Sequence, residues 1–364
     1  MATPRPTTKS IPILPIGQGA IDKAVSLWRA GRLVAFGTET VYGLGGDATS
    51  PHAVSAIFRT KARPAFNPLI NHFATTEAAL SHAQTTPLAR LLAEAFWAGP
   101  MTLVLDRLPT SPISPLAVAG LPSVALRVPS LPATRDLLAA AGVAIAAPSA
   151  NPSGRLSPTR AGHVATAFHG QSEPALIIDS GACRCGVEST VIDARGEVPM
   201  ILRLGSITAE QIKEVVGVMP EYATGGAGGG GNTLTPLSPG QSLSHYAPNA
   251  RLRLNAESPC PNEAWLGFGG DNPSMLGDSD RHPSQLNLSL NLSPGGDVDE
   301  AASNLFAMLH ALDATLTTMT AGTDAGTGID TIAIAPIPKH GVGAAINDRL
   351  LRAASSYKGE LGGG

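Results

Sequence analysis

From residue 18 to 216, short apolar runs alternate with stretches whose apolar positions recur at helical spacing. The runs at 33–36, 69–73, 102–105, 124–128, 143–147, 175–178, 189–192 and 200–204 predict strands. Between several of them, 52–61, 87–97, 132–141, 159–168 and 208–216 predict helices. An earlier helix, 20–30, places Ile21, Val25, Leu27 and Trp28 on one side, and Gly31 supplies the residue type that commonly ends a helix. Strands interleaved with helices in this way predict one α/β domain around a mixed sheet. The pattern carries no strand order.

A glycine-rich stretch at 224–231 and prolines within 235–240 interrupt the alternation. Such a tract reads as a linker and not as a packed element. Beyond it, 251–255, 264–268, 285–290 and 330–337 predict strands, 298–318 and 343–355 predict helices, and 269–284 reads as a polar loop. The expected organisation is a disordered lead (1–17), a larger domain (18–220), a Gly/Pro-rich linker (221–249) and a smaller α/β domain (250–364).

Composition narrows the class. The 364 residues are 43% hydrophobic, 15% charged and 4% aromatic, which suffices for cores built from aliphatic side chains. A net charge of −3 argues against binding nucleic acid by bulk electrostatics and leaves room for a local basic cleft. Three cysteines, at 183, 185 and 260, lack the spacing of a disulfide framework or a zinc site and suit a reducing compartment. No stretch approaches the roughly 18 apolar residues of a membrane span. The N-terminal residues show no signal-peptide pattern. A soluble, cytoplasmic protein is expected.

Candidate chemistry lies where strands empty into small polar residues. The apolar run at 33–36 leads into TETVYGLGG, and a compact cationic cluster, Arg59, Lys61 and Arg63, follows before Asn67-Pro68. Similar segments recur at 123–129 (SVALRVP), 147–159 (APSANPSGRLSPT), 186–193 (GVESTVID) and 202–206 (LRLGS). Hydroxyls, amides and backbone N–H groups in such loops suit phosphate or nucleotide oxygens, although capped Pro/Ser/Gly turns account for them equally. Arg127 and Arg203 sit inside apolar strands, where a charge needs an anion. A ligand supplies one, and so does structural pairing with Glu39, Asp47 or Glu188. No phosphate-binding GxxxxGK[ST] loop, full GxGxxG, G-x-S-x-G elbow or H-E-x-x-H motif is present. Nothing points to a covalent nucleophile.

In order along the chain, FGTETVYGLGG, TKARPAFNPLINHF, FWAGPMTLVL, LPSVALRVP, APSANPSGRLSPT, GVESTVID and LRLGS resemble the signatures of the YrdC-like L-threonylcarbamoyladenylate synthases. The resemblance covers about 20–216. SPGQSLSHYAP (238–248), NLFAMLHALD (304–313) and GVGAAINDRLLRAAS (341–355) extend it to the long, two-domain form. It implies a twisted mixed sheet with helices and an open cleft, plus a smaller, Rossmann-like C-terminal α/β domain. The implied activity is that of a nucleotidyltransferase: ATP, L-threonine and bicarbonate give threonylcarbamoyladenylate and pyrophosphate. A partner transferase complex then carries the threonylcarbamoyl group to the adenosine beside the anticodon of certain tRNAs.

By the same resemblance, Thr40, His72, Arg127, Ala147 and Ser189 bind threonine. Arg63, Asn67, Ser123, Ser149, Ser157 and Arg203 bind ATP, and Tyr246 closes over it. Lys61 joins Arg63 in neutralising the charge that spreads during the reaction. Mg2+ arrives with ATP, and no metal ligand from the protein is expected. Phosphoryl-centre chemistry of this kind needs positioned cations and not a nucleophile.

Four positions depart from the family pattern: Gly37 and Leu204 where proline is usual, Asn71 where an apolar residue is common, and Ser123 for a frequent threonine. None removes a proposed contact group. Two other functions compete with the synthase reading. One is a noncatalytic domain gripping RNA in a basic cleft, and weak RNA contact is compatible with either reading. The other is a carbamoyltransferase like the hydrogenase-maturation proteins, whose extra zinc-finger and acylphosphatase-like regions this chain lacks.

Overall fold

The computed structural model describes residues 10–223, 245–270, 288–320 and 330–356. The first half of the larger domain runs β1 (Ile13–Pro15), α1 (Gln18–Arg29), β2 (Val34–Gly37), β3 (Tyr42–Asp47), α2 (Pro51–Lys61), β4 (Ile70–His72), α3 (Thr76–Leu80) and α4 (Pro87–Phe96). It continues with β5 (Met101–Asp106), β6 (Ser123–Arg127), α5 (Pro132–Ala141), β7 (Ile145–Ala146), α6 (Ala161–Ala167) and β8 (Leu176–Asp179). The domain closes with β9 (Thr190–Asp193), β10 (Met200–Arg203), α7 (Ala209–Val216) and β11 (Glu221–Tyr222). These strands form one mixed sheet in the order β1-β8-β2-β3-β7-β4-β6-β5-β9-β10-β11.

Local chemistry sets the helix ends. Ser50 and Thr86 each accept a backbone N–H three residues on, with proline at the next position, so α2 and α4 start where the sequence caps them. Thr208 and Gln211 form a reciprocal capping box on α7. Alternation in β2 sends Leu33 and Ala35 to one side of the sheet and Val34 and Phe36 to the other, and helices cover both faces.

Three strands lie where the sequence reading placed none, one of them β11, which falls in the expected linker and pairs in parallel with β10. Residues 10–17, expected within a disordered lead, carry β1, which pairs in parallel with β8. The segment YGLGGD, read as a turn, is β3, antiparallel to β2. Its glycines admit close neighbours: a Cβ on Gly45 would lie 2.6 Å from Phe36, and the Trp28 indole donates to the Gly45 carbonyl at 2.9 Å. Phe36 and Trp28 press on that strand edge-to-face, 5.9 Å apart. The glycine tract at 224–231 lies outside the described residues.

The smaller domain consists of β12 (Arg251–Arg253), β13 (Glu263–Gly267), β14 (Ser289–Asn291), α8 (Val298–Thr320), β15 (Thr331–Ile334) and α9 (Gly343–Ser355). Its sheet, ordered β12-β15-β13-β14, is parallel at every pairing, the arrangement of an α/β layer fold. Leu266, Ile332 and Ile334 pack with Leu305, Phe306 and Leu309 of α8 and Ile346 and Leu350 of α9. Val41, Leu156 and Val187 of the larger domain belong to the same apolar cluster, as does Tyr246.

Candidate functional site

Beside the larger sheet lies a cavity with about 50 Å³ of water-accessible room. Thr38, Gly43, Ile70, His72, Arg127, Ala147, Ser149, Glu188 and Arg203 contribute to its wall, and His245 and Tyr246 close it. The expected cleft is therefore covered. Tyr246 is buried at a positive φ of 67°, and the chain beyond it is pinned to both domains. Ala247 N–H donates to the Gly154 carbonyl at 2.7 Å, while Asp313 of α8 accepts the N–H groups of Asn249 and Ala250.

At one end stands Arg127, at the end of β6. Its Nη2 donates to Glu39 Oε1 at 2.7 Å and Thr40 Oγ1 at 2.9 Å. The other Glu39 oxygen accepts the Ser130 N–H at 3.0 Å, which fixes the pair. Arg127 Nε and His72 Nδ1 are buried without a partner among the described residues. Unpaired polar atoms facing a cavity wall are what a polar ligand satisfies. Burial, with Arg127 next to it, pulls His72 down to about 3, so its ring is neutral at physiological pH.

At the other end are Arg63 and Arg203. Arg63 donates to the carbonyls of Asn67 (3.3 Å) and Pro68 (3.1 Å) of its own loop. Arg203, at the end of β10, donates to Ser189 O and Ser189 Oγ, and that hydroxyl is 2.8 Å from Thr102 Oγ1. Burial, with Arg203 beside it, lowers Arg63 to about 10, which still leaves it charged at neutral pH. Glu188 is the acid among the described residues of the wall. It accepts Ser157 Oγ at 2.6 Å on one oxygen and Arg349 Nε at 2.9 Å on the other. Burial alone would raise Glu188, but Arg349 and Arg203 outweigh it and hold the carboxyl at about 2.

Arg63, His72, Arg127, Ala147, Ser149, Arg203 and Tyr246 thus converge on one cavity. Thr40, Ser157 and Ser189 stand one hydrogen bond behind it. Lys61 is buried and donates to the Ser149 and Asn151 carbonyls, stapling the 149–151 loop to the end of α2. Asn67 and Ser123 are buried outside the lining set. Of the carboxylates considered as partners for the strand arginines, Glu39 holds Arg127, whereas Asp47 caps the Thr49 turn instead. His245, Thr38 and Arg349 were not singled out in the sequence, though all three lie inside segments that carry the resemblance.

Two family models tile the chain. The Sua5/YciO/YrdC model, described as telomere recombination, matches residues 26–205, and the model described as threonylcarbamoyl-AMP synthase, C-terminal domain, matches 207–355. A threonylcarbamoyl-AMP synthase of Pyrococcus abyssi is 38% identical, over 94% of this chain and 96% of its own length. The chain belongs to the threonylcarbamoyl-AMP synthase family. A synthase of that name from Bacillus subtilis is 36% identical, with 92% of each chain covered. The crystal structure of P. abyssi Sua5 complexed with L-threonine superposes with a TM-score of 0.79 at 34% identity, covering 96% of this chain and 98% of its own. The family assignment therefore spans both domains, as the motif order did.

Proposed function

We propose that this chain makes threonylcarbamoyladenylate from ATP, L-threonine and bicarbonate. The threonine amine and bicarbonate give a carbamate and water; a carbamate oxygen then attacks the α-phosphorus of ATP, and pyrophosphate leaves. The product is the donor for threonylcarbamoylation of tRNA next to the anticodon by a downstream transferase complex, which places the reaction in the cytoplasm. Among the described residues no helix is long and apolar enough to cross a membrane.

One observation carries the reading: three buried arginines surround a single cavity, and one of them keeps an unpaired Nε. Arg127, fixed by Glu39 and Thr40, pairs with the threonine carboxylate, and His72 and Ala147 complete that pocket. Arg63 and Arg203 meet the phosphates, with Ser149, Ser157, Ser123 and Asn67 on the nucleotide side. Lys61 acts through the 149–151 loop that it holds. Positioned cations of this kind stabilise charge spreading over phosphate oxygens without a protein nucleophile.

Mg2+ fits as a companion of the nucleotide. The donor set here is cationic, and both oxygens of Glu188 are already hydrogen-bonded, so phosphate oxygens would hold the ion. Bound there, it supplies charge neutralisation.

The small volume means that His245 and Tyr246 must withdraw for a nucleotide to enter, making the 245–249 segment a gate. Incubation with the three substrates, followed by mass spectrometry, is expected to show threonylcarbamoyl-AMP only when threonine and bicarbonate are both present. ATP turnover independent of threonine, or stimulated by carbamoyl phosphate, would sink the proposal. A chain ended after residue 220 is expected to use ATP less well than the whole protein.

A further inference from the structure

An arginine of the smaller domain reaches the nucleotide end of the cavity from behind. Arg349 on α9 is 1% exposed, an extreme burial for a guanidinium. Its Nε donates to Glu188 Oε2 at 2.9 Å, its Nη1 to Asp348 Oδ2 at 2.8 Å and its Nη2 to the Leu204 carbonyl at 2.7 Å. The guanidinium carbon lies 5.3 Å from the centre of the Tyr246 ring. Asp348 also accepts from Arg352 at 2.9 Å. Two carboxylates and two guanidiniums therefore balance at this junction, and three of the four belong to α9.

Glu188 is the member that faces the cavity. A bare carboxylate there would repel a polyanionic ligand and attract Arg203, whose field it already feels. Arg349 removes both problems, because it neutralises the acid and holds it turned toward Ser157.

We propose that Arg349 is a positioning residue for the nucleotide: by pairing with Glu188 it directs the charge of Arg63 and Arg203 at the phosphates instead of at the wall. The smaller domain thereby takes part in the chemistry without touching substrate. This rests on the reading that the nucleotide occupies this cavity.

The test uses the full chain, with ATP binding measured by calorimetry at saturating threonine and threonine binding measured separately. ATP binding by the wild type checks the underlying reading, and its absence would remove that reading whatever Arg349 does. Arg349→Ala is expected to weaken ATP by about 10-fold or more and to leave threonine within about two-fold. Adding Glu188→Gln to Arg349→Ala is expected to restore ATP affinity to within about three-fold of wild type, because the unpaired charge is gone. A role confined to holding α9 in place would not be rescued by the second substitution. ATP binding unchanged in Arg349→Ala, or a double variant as weak as the single, overturns the proposal. Should the alanine variant not fold, Arg349→Gln with and without Glu188→Gln gives the same comparison.

Discussion

The imidazole rings of His163 and His310 stack 4.0 Å apart, 25° from parallel, where α6 of the larger domain meets α8 of the smaller one. His310 Nε2 is 3.1 Å from the Ser157 carbonyl, and His163 Nδ1 accepts the Thr159 N–H at 3.2 Å. Both rings are held neutral. Burial lowers each, and His310 and Arg160 help bring His163 down to about 3. The unfolded chain takes up these protons near pH 6.5, whereas the folded chain resists until the pH is far lower. Folding is therefore fully favoured above about pH 6.5 and loses ground progressively as the pH falls toward 3. The melting temperature is expected to drop between pH 7 and 5, and His163→Phe, which keeps a ring in the stack, to make that drop shallower. An equal slope in wild type and variant would contradict this account.

Arg63 is surrounded by its own loop carbonyls and by the field of Arg203. In the proposed scheme its removal takes away a buried charge that meets the phosphates. Arg63→Ala is expected to lower kcat/KM for ATP by about 100-fold or more. Threonine binding and the circular dichroism spectrum are expected to stay close to wild type. Pyrophosphate release at the wild-type rate would exclude the assigned role.

Glu39 touches no substrate in the proposed scheme, but it aims Arg127. Glu39→Gln keeps the side-chain shape and loses the ion pair of 2.7 Å. Threonine affinity is expected to fall by about 10-fold, and by about 100-fold in Arg127→Ala, where the guanidinium itself is lost. Isothermal titration with threonine alone reads both. Equal losses in the two variants would mean that Glu39 does more than orient its partner.

Gly186 sits at the domain junction with a φ of +68°, and a Cβ there would stand 2.1 Å from the Ala302 carbonyl oxygen of α8. Gly217 has a φ of +80° and open space around the same position. Alanine at 217 meets only the backbone strain, on the order of 1 kcal/mol. Alanine at 186 must also push α8 away, and is expected to cost several times more, on the order of 3 kcal/mol or above. Thermal melts of the two variants side by side give the difference, and similar losses would show that α8 yields easily.

The sequence was most informative where residue types contradicted their surroundings. Arginines at 127 and 203 inside apolar strands announced an internal anion or ligand, and both line the cavity. Helices such as α2 and α7 were legible because their apolar positions recur at helical spacing, and Ser50, Thr208 and Gln211 cap them locally. The strand β3 was not, since its glycines answer to Trp28 and Phe36 packed upon it, partners that no local window contains. Arg349 illustrates the same limit for the site. In an amphipathic helix an arginine reads as a solvated residue, and only the docking of α9 against the segment holding Glu188 buries it. Lys61 adds something that its place in a cationic cluster does not announce: beside any phosphate contact, it donates to two loop carbonyls 88 and 90 residues away in sequence.

Val41, Leu156 and Val187 are enclosed by the same apolar cluster as Leu305, Phe306 and Leu309, so the two halves of the molecule share an apolar interior at their junction beside the cores each has of its own. Unfolding either half wets the inside of the other. Calorimetry of the intact chain should accordingly record one endotherm whose van't Hoff and calorimetric enthalpies agree, in place of two steps.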